Sequence, residues 1–449
     1  MLERMLNMSF MLSNPHALVQ LLKNAKNIPQ QATELMKGKV ACWKLSRPFH
    51  EHRRNLEWNE SAAYTVRISV ERAVNDCMRY RDSHASWDGP QIFSITERDN
   101  NILQEIRMAT IAANQSNITR TQAYLECYKA YPELHWALLA HMVSRNGGWN
   151  MSDLKGGLMS DLMERSLKDN LYRMLERCNA LIFQDAYPQL QLYMYSKQYG
   201  CSLFHLLPHF HVSTFMNAFW NSFWLERNSA LLAVGLIINE QHYIEGRVVR
   251  QSFFQKNIFK NMTYQINHLA HVNQILFPLS KMIPSPMNER HVPSPSPGIV
   301  GLVLENFLNI EERINLGKSL YGLLFGYTDV LNQVTAYAQD TIHHGSRSEY
   351  WPELFTPDKE TAVNSSIESS QLLDHEWLSV GQRIYSPTLE EVWFDMPYDP
   401  IPRYDWLKDK NVIQYISKPR RPFLIEISHN HRAALQKTAL AHDIVRSLN

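Results

Sequence analysis

Two groups of residues in this chain have the types and spacing to do chemistry. The first closes the apolar run YPELHWALLAHMVSRNGGWNMSD (residues 131–153), where His141, Arg145, Asn146 and Asp153 gather in the last turns. A histidine can move protons near neutral pH, an arginine can clamp a carboxylate or phosphate through its planar fork, and an aspartate can orient the histidine. The second lies in the polar half of residues 228–249, where Asn239, Glu240, His242 and Glu245 follow the apolar stretch LLAVGLII. Asn239, His242 and Glu245 stand three residues apart, so on a helix they share a face from which they can ligate a metal or relay a proton. Arg120 adds a second guanidinium upstream. Brought together, these groups would make a pocket for a phosphate- or carboxylate-bearing ligand. His141, Asp153, Glu240, His242 and Glu245 would take the acid/base roles, and Arg120, Arg145 and Asn146 would hold the ligand. The same residues also admit a plainer role: Arg145 satisfying carbonyls at a helix end, Asp153 capping a helix, and Glu240 and Glu245 solvated.

The elements that must position these groups read as helices. Pro132 suits a first helical turn, and the residues after it are apolar nearly all round, the mark of a buried helix. Gly147-Gly148 reads as a left-handed stop, with Asn150 capping a following helix and Asp153 as the acid of a capping box. Further helical patterns cover 61–81, 96–113 (capped by Thr96 with Asp99), 117–131, 160–183, 228–249, 256–277, 311–325, 329–342 and 431–448. Asp88-Gly89-Pro90 breaks the chain, and residues 281–298, with five prolines, read as a linker or surface loop. Ala186-Tyr187-Pro188-Gln189-Leu190 echoes Ala130-Tyr131-Pro132-Glu133-Leu134, a hint of a repeated helix pair. Val412–Ser417 and Phe423–Ser428, joined by KPRRP, are the convincing strand pattern and predict a small hairpin. The fold expected is all-α: an N-terminal extension (1–60), an irregular helical core (61–345) and a Pro-rich mixed tail (346–449) carrying that hairpin.

Composition narrows the class of protein. Hydrophobic residues make up 45% and charged residues 20%, enough for a substantial core. The net charge of +1 argues for no global basic field, so no nucleic-acid partner is expected. A C-terminal mixture of Arg403, Lys408, Lys410, Lys418, Arg420 and Arg421 with Tyr404, Trp406 and Tyr415 is diluted by Asp405 and Asp409. Five scattered cysteines without a C-x-x-C pattern suit reduced thiols in the cytoplasm, and no spanning helix or signal peptide is read. His205-x-x-x-His209-x-His211 has metal-like spacing, but Pro208 interrupts it and no carboxylate is close in sequence. Nucleotide loops, nucleophile elbows and zinc-binding H-E-x-x-H are missing from the chain, and these residue types name no cofactor.

Residues 117–153 and 184–249, including DAYPQLQLYMYSKQYG, LFHLLPHFHVSTFM and LIINEQHYIEGRVV, resemble the uncharacterised YppC-like family of the bacilli. The resemblance covers about residues 60–345. It implies a bacterial, cytosolic, helical protein. That family has no assigned activity, so the resemblance transfers no residue role. The residues themselves leave two functions: a helical scaffold or partner-binding protein, and an enzyme or small-ligand binder built on the polar pocket. The two part on geometry, according to whether the charged tips of the two groups converge on a cavity or pair off in a filled core.

Overall fold

The computed structural model describes residues 40, 42–83, 95–159, 162–259, 273–283, 296–362, 383–395 and 405–448. Its helices are α1 (Glu60–Ser83), α2 (Glu97–Ala113), α3 (Asn117–Ala130), α4 (His135–Asp153), α5 (Arg165–Tyr199), α6 (Phe215–Glu226) and α7 (Ser229–Ile244). A hairpin of β1 (Gln274–Ile283) and β2 (Ser296–Val303) follows, then α8 (Ile310–Phe325) and α9 (Thr328–Asp340). The tail holds β3 (Phe355–Thr356), β4 (Ile384–Tyr385), the short α10 (Leu389–Val392) and α11 (Ser428–Leu448). The chain is mostly helical, as its periodicity requires. The break at 88–90, the proline-rich stretch 284–295, and Arg403 and Tyr404 lie outside the described residues.

Local sequence starts and stops most of these helices. Thr96 and Asp99 form a reciprocal capping box on α2, and Ser116 and Thr119 form one on α3. Asn228 caps α7 by accepting the Leu231 N–H at 2.9 Å. Gly200 ends α5 in the left-handed region at φ 68°. Pro188 lies inside α5, whereas Pro132 sits in the turn before α4, so the two Tyr-Pro echoes adopt different structures and form no repeat.

Helix α4 is the axis of the molecule. It packs against α3, α5, α7, α8, α10 and β1, and nearly every residue from Trp136 to Asp153 is buried. One hydrophobic cluster surrounds it and runs from Phe49 to Ala439, so it includes residues on both sides of position 345. Gly147 and Gly148 do not stop this helix; both lie in its interior, and Asn150 and Asp153 are helical residues rather than caps. Tertiary packing overrides the local stop signal, since glycine leaves room for neighbours to touch the helix backbone.

The strands also fall elsewhere than their propensities indicate. Of the segment 256–277 read as a helix, residues 256–259 are helical, 260–272 lie outside the described residues, and Gln274–Phe277 open β1. The residues after Ser296 in the proline-rich stretch become β2, paired antiparallel with Leu276 opposite Gly301. An apolar run as short as QILFPL fits either structure, and only its neighbours decide. Val412–Ser417, read as strand, instead lies mostly in a 3-10 helix that spans Lys410–Tyr415. Residues 425–427 lie along the free edge of β2: Gly301 N–H donates to Ile425 O and Ile427 N–H to Ile299 O, both at 2.9 Å. Gly301 is required there, because a Cβ would stand 2.2 Å from Ile275 O. On the β1 side, Asn146 of α4 acts like a strand residue. Its carbonyl accepts from Leu276 N–H at 2.8 Å, and its amide donates to Leu276 O at 2.6 Å. Asn146→Ala strands both groups in the core and is expected to cost about 2–3 kcal/mol, read as a lower denaturant midpoint at unchanged slope.

Candidate functional site

The polar groups of α4 meet partners from the loop after α9, residues 343–350. Glu349 is the hub. One of its oxygens accepts from Arg145 Nη2 at 2.8 Å and from Trp149 Nε1 at 3.0 Å. The other accepts from the backbone N–H groups of His344 and Gly345, at 2.8 and 2.6 Å, and from His343 Nδ1 at 3.0 Å. Gly345 takes φ 89°, which favours glycine and turns its N–H onto the carboxylate. Burial would raise the Glu349 carboxyl, but His343 and Arg145 beside it outweigh that and hold it well below the usual carboxylate range. Arg145 is fully buried, with its guanidinium 4.8 Å from the centre of the Tyr337 ring.

His343 reaches across to α3, where its Nε2 lies 2.9 Å from Asn117 Oδ1. The Asn117 amide donates to the Ser144 carbonyl at 3.0 Å. This bridge passes directly over Gly148: a Cβ there would stand 2.6 Å from both Asn117 Oδ1 and His343 Nε2. The double glycine is thus a window for side chains. Gly148→Ala is expected to destabilise by about 1–3 kcal/mol although alanine is the better helix former, a sign that a melting curve checks directly.

His141 lies one turn before Arg145. Its Nδ1 donates to Thr121 O at 2.8 Å, and burial, helped by Arg145, pushes its pKa down to about 3. It is therefore a neutral ring through the physiological range. At the end of α4, Asp153 accepts from Arg347 Nε at 2.6 Å, and Asn150 accepts from Arg347 Nη2 at 3.2 Å. Arg347 also donates to the Tyr350 hydroxyl, which lies 2.9 Å from His431 Nε2. His431 Nδ1 in turn donates to Gln274 Oε1 at 2.8 Å. This chain ties α4, the loop, α11 and β1 together. Beside it runs a narrow cleft lined by Asp153, Gly156, Met159, Arg347, Phe355 and Tyr385, with room for about one water molecule.

The remaining residues singled out in the sequence form separate pairs. Arg120 pairs with Glu176 of α5 and donates to Asn114 at 3.1 Å, all inside the core. Glu240 reaches α4 only at its first turn, where it accepts from Trp136 Nε1 at 3.2 Å, and it also accepts from Gln241 at 3.2 Å. Glu245 pairs with Arg313 and with Arg250. His242 stacks on Trp406 at 4.4 Å, and burial pushes its pKa down to about 4. Asn239 accepts from Trp406 Nε1 at 2.8 Å and donates to Asp185, so it shares a face with His242 as its spacing requires. The two groups therefore do not point their charged tips at each other: Arg145 takes Glu349 rather than Glu240. Among the described residues no three His, Cys, Asp or Glu side chains are placed to hold a metal ion.

Periodicity could not find Glu349, Arg347, His343 or Tyr350, because a loop has none. The visible signal was compositional: two histidines, a glycine and an arginine in five residues, with Glu349 two positions on.

A family model described as "Protein of unknown function (DUF2515)" matches residues 112–438. The chain is also 40% identical over 247 residues to the uncharacterized protein YppC of Bacillus subtilis (strain 168), covering 55% of this chain and 72% of that one. No solved structure matches. The matched region spans α4, the Glu349 loop and the start of α11, and on that match the chain belongs to the DUF2515 family of proteins of unknown function.

Proposed function

We propose that this chain is a helical scaffold that acts by binding partners, and that its buried charges hold its shape. One observation carries the reading. Both oxygens of Glu349, the most heavily bonded carboxylate of the polar interior, are taken by Arg145, His343, Trp149 and two backbone N–H groups. A carboxylate so occupied has no lone pair directed at a substrate. Arg120, Glu245 and Asp153 are likewise paired with internal partners, and Glu240 is held by the neutral donors Trp136 and Gln241, which fits a structural role better than a reacting centre. A cytoplasmic location agrees with five cysteines that are all free thiols. No helix among the described residues is long and apolar enough to cross a membrane.

The second reading, a small-ligand binder or enzyme, is favoured by the cleft beside Asp153 and Arg347. A thermal-shift screen of the full chain against phosphorylated and carboxylated metabolites and divalent metals separates the two. Binding to the native state raises the midpoint by mass action, by about 2.7 kcal/mol of stability at a hundredfold excess over Kd. The scaffold reading expects no saturable shift. A shift that saturates and disappears in Arg347→Lys would replace it with the ligand reading.

A further inference from the structure

The net charge of +1 hides a local concentration of cations on one face. Two segments far apart in sequence, 43–54 and 418–425, lie side by side there. Ile425 and Glu426 donate their N–H groups to Ser46 Oγ, at 3.2 and 3.0 Å. His50 Nε2 meets Phe423 O at 2.8 Å with its ring stacked on the Phe423 ring, and Arg421 Nη1 donates to Arg54 O at 2.9 Å. The exposed residues thus brought together include Arg47, Arg53, Arg54, Lys418, Arg420 and Arg421. None of these six is in an ion pair among the described residues. The acidic groups near the face include exposed Glu51, Glu57 and Asp329 and buried Glu426, and Asp329 is engaged by His52 at 2.8 Å.

Large apolar side chains on the same two segments are exposed as well. Phe423 is 57% exposed, Trp43 46% and Leu424 45%, well above what a buried contact leaves. The loop that carries Phe423 and Leu424 is seated on the fold. Prolines 419 and 422 fix its backbone, and it lies on two glycines at the end of α8. A Cβ on Gly322 would stand 2.3 Å from Arg420 O, and one on Gly326 would stand 2.6 Å from the Arg421 side chain. The negative end of the α8 dipole lies beneath these arginines and favours them there.

Cations ringing exposed apolar tips match the chemistry of a lipid headgroup layer, phosphates outside and acyl chain beneath. A single-stranded nucleic acid is the poorer match. Leu424 has no π face for a base, and one face of Phe423 is already covered by His50. We propose that this face docks on an anionic membrane surface, with the arginines and Lys418 on lipid phosphates and Phe423, Leu424 and Trp43 in the headgroup boundary. The interior ion pairs play no part in it, so the proposal stands or falls apart from the scaffold reading.

The test is co-sedimentation of the full chain with vesicles of phosphatidylcholine, alone or with about 30 mol % phosphatidylglycerol. Association is expected only with the anionic vesicles, weakening several-fold as salt rises from about 0.05 to 0.5 M. Lys418→Gln/Arg420→Gln is expected to bind at least about tenfold more weakly. Neither side chain makes a hydrogen bond within the fold among the described residues, so the melting temperature should hold. Phe423→Ser/Leu424→Ser is expected to remove the binding that survives at high salt. Equal binding to neutral vesicles, no binding to either, or undiminished binding of the charge variant would overturn the proposal. So would tighter binding of oligothymidylate than of vesicles through the same cations, which would make this a nucleic-acid face.

Discussion

Glu349→Ala is expected to cost the fold about 3–5 kcal/mol, a large part of the stability of an ordinary domain. The loss comes less from the missing attraction than from what is left behind. Arg145 is fully buried, and without the carboxylate its charge has the Tyr337 ring but no counter-ion at hydrogen-bond distance. The N–H groups of His344, Gly345 and Trp149 lose their acceptor at the same moment. Arg145→Ala should cost a comparable amount by stranding Glu349. Removing both charges together, as Arg145→Met/Glu349→Leu, should cost far less than the sum, because a buried pair replaced by apolar bulk leaves no orphan charge. Chemical denaturation of the three variants measures the cycle; an unchanged midpoint in either single variant would contradict the buried-pair account. The pH dependence follows from the depressed Glu349 carboxyl. Its contribution is fully present above the carboxyl's unfolded pKa and is lost as pH falls through the folded one, so the pair weakens only in strong acid.

Glu240→Gln should do the opposite and stabilise the protein, most of all in alkaline solution. The carboxyl of Glu240 lies between α4 and α7 with neutral donors, Trp136 and Gln241, and with Asp185 of α5 near it. Burial, against the pull of those two donors, pushes it up from 4.5 to about 8, and burial pushes Asp185 up to about 7. For a raised acid the folded state favours the proton. The stabilising contribution is therefore complete below the unfolded pKa and disappears as pH climbs through the folded one. At about 1.4 kcal/mol per pH unit, the window from 4.5 to about 8 corresponds to a loss on the order of 3–5 kcal/mol from Glu240. Glutamine keeps the shape and carries no charge at any pH. The wild-type melting temperature should fall between pH 5 and pH 9, and the variant's should fall less. Parallel profiles would show that Glu240 ionises freely in the folded protein.

These two carboxylates lie on opposite sides of what the sequence could convey. The burial of α4 was legible, because its apolar residues leave no polar face and only the interior accepts such a helix. That Arg145 must have a partner was legible too, since a lone buried charge is too costly to keep. The partner was not. Glu349 sits about two hundred residues away in a loop without period, and it reaches Arg145 only because α9 ends and turns the chain back onto α4. The glycine pair shows the same division from another side. Its letters read as a stop, and in isolation that reading is sound. In the fold, the neighbours that press on Gly148 make the missing side chain a packing requirement and the helix continues past it.

By itself the sequence determined a mostly helical protein, the extent of α1, α2, α3, α7, α8, α9 and α11, and the presence of charges that must be buried. Those properties depend on residues within a turn or two of each other, through periodicity and capping. Only the tertiary structure decided where the strands lie, that the charges of α4 and α7 pair with separate partners, and that distant cations share one exposed face. Strand pairing, buried ion pairs and surface fields depend on groups far apart in the chain, and a string of residues does not encode the distance between them until the backbone has folded.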